Sequence, residues 1–87
     1  MEFEWDNAKA DANLKKHGID FVVGAEVFSA PVVLTIVDTR FAEARFRTIG
    51  MVNGIALCVA STMRGGICRI ISVRRASRAE RRFYDSL

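Results

Sequence analysis

The chain has only one histidine, two cysteines, one proline, one tyrosine and one tryptophan among its 87 residues. A lone histidine and no Cys-x-x-Cys pair fall short of the ligand set of a zinc site, so no metal is expected. The pattern also lacks a glycine-rich phosphate loop, a G-x-S-x-G elbow and a metal-spaced acidic pair, which removes the common nucleotide-binding and hydrolase architectures and leaves no cofactor expected. No apolar run approaches the ~18 residues of a membrane span. The opening residues Met1-Glu2-Phe3-Glu4-Trp5-Asp6 are acidic where a secretion signal is basic, so a soluble, cytoplasmic protein with no membrane partner is expected.

What is present is an ordinary globular mixture, 51% hydrophobic and 26% charged, which excludes disorder and low complexity and implies one domain over residues 1–87. Charge is distributed unevenly. Residues 1–43 carry four basic groups (Lys9, Lys15, Lys16 and Arg40) against eight acidic ones, whereas residues 44–87 carry nine arginines against Glu80 and Asp85. Every cation of the second half is arginine, whose planar fork binds phosphate in a bidentate manner and stacks on bases. That points to nucleic acid; solubilising surface or docking onto an acidic partner weighs about as much on charge alone.

The local pattern predicts a first helix from Asp6 to His17, with Asp6 as N-cap and Gly18 as the left-handed stop, and a second from Asp20, ending before Pro31. Four strands follow: Val32–Val37, Arg45–Met51, Ile55–Thr62 and Ile67–Val73, with turns at Asn53-Gly54 and Gly65-Gly66. Ser77-Arg78-Ala79-Glu80 has the form of a capping box and opens a final helix running through Tyr84. The expected fold is α+β: two N-terminal helices, a four-stranded antiparallel meander and a C-terminal helix, with the helices on one sheet face and the other face free. Cys58 should lie opposite a residue near Ser72, which leaves it unable to pair with Cys68.

Simple alternation along the strands places Arg45 and Arg47 on one face, and Arg69 with Ile71 and Val73 opposite Ile70, Ser72 and Arg74. An arginine in mid-strand is costly unless paired or facing an anion, so Arg69 is the most informative of them; a salt bridge to Glu26 or Glu43 is its structural alternative. For the arginines of the last helix a solvated face is the simpler reading, and for His17 a helix C-terminal cap is simpler than proton transfer. Tyr84 reads as core, as a stacking platform or as an acid or base. Lys9, Asn13 and Lys16 form one helical stripe. Should that stripe border the arginine-bearing sheet, the inventory suits RNA cleavage without metal: a base for the 2′-OH, cations for the phosphorane and an acid for the leaving oxygen.

The ordered set Phe3-Glu4-Trp5-Asp6, Lys16-His17-Gly18 with Phe21, Val27-Phe28 before Pro31, Arg45 with Gly50, Thr62 with Arg64, and Arg69-Ile70-Ile71-Ser72-Val73-Arg74-Arg75-Ala76 followed by Glu80-Arg81 and Tyr84 resembles the BrnT family of bacterial type II toxins over essentially the whole chain. The resemblance implies a ribonuclease toxin with a RelE-like fold that cuts RNA and blocks translation. It implies as partner a BrnA-type ribbon-helix-helix antitoxin, through which alone operator DNA is bound. It puts the catalytic site among Lys16, His17, Arg64, Arg69 and Tyr84, with Arg45, Arg47, Arg74 and Arg75 as RNA-binding residues. In the working assignment Arg64 and Arg69 hold the phosphate and its transition state, His17 or Lys16 lies near the 2′-OH, and Tyr84 stacks or assists. Position 63 departs from the family pattern, with Met63 where an acid is expected. A different class, a non-catalytic module binding nucleic acid or a partner through the same basic face, is the alternative.

Overall fold

A computed structural model describes all 87 residues, Met1–Leu87. The element order is β1 (Phe3–Glu4), α1 (Asn7–His17), α2 (Phe21–Val27), β2 (Val33–Asp38), β3 (Arg45–Val52), β4 (Ile55–Arg64), β5 (Ile67–Arg75) and α3 (Arg78–Asp85). The helices start and stop where their caps dictate. The Asp6 carboxylate accepts from the Lys9 amide, that of Asp20 accepts from the Val22 amide, and Gly18 at φ 71° returns its amide to the Leu14 carbonyl. None of the helices is long and apolar enough to cross a membrane.

The sheet has five strands in the order β1-β5-β4-β3-β2, one more than the pattern predicts. The additional strand is only two residues long, too short to show any period. It is fixed by tertiary contacts: Phe3 and Glu4 pair parallel to Cys68 and Arg69, the Cys68 amide donates to the Glu2 carbonyl at 2.9 Å, and the Phe3 ring packs on Phe28. The sheet is therefore mixed, with one parallel junction at its edge.

Pairing β4 with β5 involves a second departure. Between Ser61–Ile70 and Ala60–Ser72 the register slips by one residue, so Ile71 is the extra residue of a bulge. The slip inverts the face of everything beyond it. Ile70 and Val73 now point the same way, into a core they share with Phe21, Val27, Leu57 and Val59, and Arg69, Ser72 and Arg74 take the opposite face. It also sets Cys58 opposite Arg74, two residues from Ser72, while Cys68 pairs with Met63. Both cysteines are free and buried.

The helices α1 and α2 cover the core side. Trp5 meets Phe21 edge-on at 6.0 Å, and α2 lies so close to β5 that a Cβ on Gly24 would collide with the Val73 side chain. Asn13, expected in a polar stripe with Lys9 and Lys16, instead turns inward. Its amide nitrogen donates to the Val73 carbonyl at 2.9 Å and to the Ile19 carbonyl at 3.1 Å, and its oxygen accepts from the Val73 amide. A side chain thus satisfies the edge of β5 where the two-residue β1 no longer reaches.

The third helix packs on β3 and not with the others, so the second sheet face is only partly free. The reason is Glu80. It closes the capping box with Ser77, 2.7 Å from the Ser77 amide, and at the same time accepts from Arg74 and Arg47 on the sheet. Tyr84 holds the other end of the helix, donating its hydroxyl to the Val32 carbonyl at 2.8 Å.

Candidate nucleic-acid interface

Opposite the α1/α2 core, the strand registers bring five arginines onto one face: Arg45 and Arg47 from β3, Arg64 from β4, Arg69 and Arg74 from β5. Their centre is a row of residues directly opposite one another across all five strands, Glu4, Arg69, Thr62, Arg45 and Asp38. Thr62 is buried and donates its hydroxyl to the Ala44 carbonyl at 2.7 Å, which pins the start of β3 against the row. With neighbouring strands about 4.8 Å apart, the backbones of Arg45 and Arg69 stand about 10 Å apart on either side of it. Arg64 lies two residues further along β4, at the hairpin rim.

Most of these cations already have a carboxylate. Arg69 donates to Glu4 at 3.3 Å, its neighbour across the parallel junction, and not to Glu26 or Glu43 as the sequence suggests; Glu26 is exposed on α2 and unpaired. Arg64 donates from Nε and Nη2, one edge of its fork, to both oxygens of Glu43, at 3.1 and 3.2 Å. The hydrogen bond from Arg64 holds the Glu43 carboxyl below its ordinary range, and the Arg45 charge adds to the effect. Arg47 and Arg74 converge on Glu80, whose carboxyl the Arg74 hydrogen bonds drive far down despite burial. Arg45 has no carboxylate. It rests on the ring of Phe41, 4.0 Å from the centroid.

The other residues singled out in the sequence lie elsewhere. Lys16 and His17 are exposed at the end of α1. His17 and Arg75 border a cleft of about 380 Å³ on the core side of the sheet, floored by Leu57 and Val52 beside the Asn53-Gly54 turn. That is the far end of β4 from Arg64, some nine residues or about 30 Å along the strand. The structure therefore does not bring Lys16, His17 or Arg75 to the arginine row. Tyr84 is tied to the start of β2. Met63 points to the core side of β4, into a pocket with Phe28, Phe46 and Cys68. An acid in its place would face away from the arginines.

Three residues that bear on the face escaped the sequence reading. Glu4 was hidden because its strand is too short to recognise. Asp38 closes the row and is held by Arg40, at 2.9 and 2.7 Å, with its carboxyl lowered to about 2. Phe41 sits in a polar stretch whose only signal was an aromatic between arginines.

Chemically, the face offers several arginine forks on one surface, with carboxylates in contact that a phosphate can displace. No three His, Cys, Asp or Glu side chains converge anywhere as a metal-ligand set. Fold and face together define a small α+β domain suited to hold a polyanion across one side of its sheet. A family model described as the ribonuclease toxin, BrnT, of type II toxin–antitoxin systems matches residues 5–80, and the chain belongs to that family. A comparison with curated proteins found no match.

Proposed function

We propose that the chain is an endoribonuclease that cuts RNA on the arginine face without a metal ion, halting translation until a BrnA-type ribbon-helix-helix antitoxin covers it. Operator DNA is reached only through that antitoxin. The observation that carries the reading is the Glu4-Arg69-Thr62-Arg45-Asp38 row with Arg64 and Glu43 at its rim.

In this reading the scissile phosphate settles between Arg64 and Arg69. The forks neutralise the charge that builds on the phosphorane, the contribution that preorganised donors make best. A phosphate on Arg64 displaces Glu43 from it. The freed carboxylate then takes the proton of the attacking 2′-OH, and water at the open face protonates the leaving 5′ oxygen. Arg45 holds a neighbouring phosphate, and Arg47 and Arg74, fixed by Glu80, shape the floor.

The test is an oligoribonucleotide incubated with purified, antitoxin-free protein in the presence of EDTA, beside the same oligonucleotide with 2′-deoxy sugars. Cleavage of the ribose form alone, ending in a cyclic phosphate, supports the reading. Salt-sensitive binding with no cutting of either would favour the non-catalytic module instead.

A further inference from the structure

Five arginines share the sheet face, and four are oriented by carboxylates. Arg45 is the exception. Its cross-strand neighbour Asp38 would be the natural partner, but that carboxylate is bound in two places by Arg40, at 2.9 and 2.7 Å. The Arg45 Nε is buried with no hydrogen-bond partner, and none of its guanidinium nitrogens is paired within the chain. Arg47 shares the buried Nε, yet its terminal nitrogen is committed to Glu80 at 2.7 Å. What orients Arg45 is the ring of Phe41, stacked at 4.0 Å, in the segment between β2 and β3.

A carboxylate-bound arginine already has part of its charge and its donors committed when a phosphate arrives. An arginine held by an aromatic face is already oriented and keeps its terminal donors free, because the ring attracts the cation without using its N–H groups. We propose that Arg45 is the entry point for an RNA phosphate, and that Phe41 is its positioning residue, holding the fork in place with its terminal nitrogens uncommitted. This deepens the proposed function and rests on RNA being the ligand of this face.

Binding of a labelled, uncleavable 2′-O-methyl oligoribonucleotide tests it directly. Phe41→Leu keeps an apolar side chain and removes the π-face; binding is expected to weaken by about three- to tenfold, with Phe41→Trp staying near wild type. The salt slope should fall by about 0.7 in Arg45→Ala, the loss of one single-strand phosphate contact, and shift the same way in Phe41→Leu. Since Phe41 acts through Arg45, Arg45→Ala/Phe41→Leu should bind no worse than Arg45→Ala alone. Undiminished binding by Phe41→Leu, or a Phe41 effect that persists in full without Arg45, overturns the positioning role. Failure of the wild-type protein to bind the oligonucleotide at all would instead strike at the RNA reading of the whole face.

Discussion

Glu80 receives both terminal nitrogens of Arg74, at 2.7 and 3.0 Å, while its own backbone amide is held by the Ser77 hydroxyl in the capping box. One carboxylate therefore starts α3, docks it on the sheet and fixes two arginines of the basic face. Removing it leaves Arg47 and Arg74 partly buried without a counter-charge. Glu80→Ala is expected to cost about 2 to 3 kcal/mol of stability, read as a lower urea midpoint. Glu80→Gln, which keeps shape and one acceptor, should lose less.

The same group sets the acid side of the stability profile. Its folded carboxyl titrates well below the ordinary 4.5, so its stabilisation is complete above that value and is lost as pH falls beneath it. Wild-type stability should decline steeply below about pH 4.5, and the decline should be shallower in Glu80→Gln. Parallel profiles for the two proteins would show that Glu80 does not carry the acid dependence.

Asn13 stands in for a strand. Asn13→Ala strips partners from both the amide and the carbonyl of Val73, and a loss of about 1 to 3 kcal/mol is expected. Hydrogen exchange should localise the damage: the Val73 amide should lose protection beyond the global change, while amides in β3 follow the global change alone.

The two thiols are shielded. Burial pushes Cys58 up to about 11 and raises Cys68 as well, and neither can reach the other. At pH 8 about a thousandth of Cys58 is thiolate, so iodoacetamide should leave the native protein unlabelled and modify both thiols once it is unfolded. Rapid labelling of the native chain would contradict the burial of Cys58 beneath α3.

Much of this fold is legible in the chain because it rests on local chemistry. Asp6 with Gly18, Asp20, and Ser77 with Glu80 mark the helix starts to within a residue, although α2 ends at Val27, three residues short of the stop read from Pro31, and Asn53-Gly54 and Gly65-Gly66 mark the hairpins. What could not be read depends on contacts distant in sequence. The bulge at Ile71 is one residue of slip with no composition signal, yet it decides that Val73 joins the core and Arg74 joins Arg69. The pairing of Glu4 with Arg69 spans most of the chain. Lys16 and His17 read as neighbours of the arginines only while the direction of α1 is unknown; the fold ends α1 with His17 beside Val52 and Leu57, at the opposite end of β4 from Arg64.

Whether RNA is cut on the arginine face is decided by inducing the chain in a bacterial host that lacks the antitoxin and following growth and total RNA. An Arg64→Ala/Arg69→Ala variant, checked for soluble expression and an unchanged unfolding transition, runs beside it. Growth arrest with RNA cleavage is expected from the wild-type chain, and loss of both in the variant. Intact RNA and normal growth from soluble wild-type protein, or equal cleavage by the folded variant, would contradict cleavage on that face.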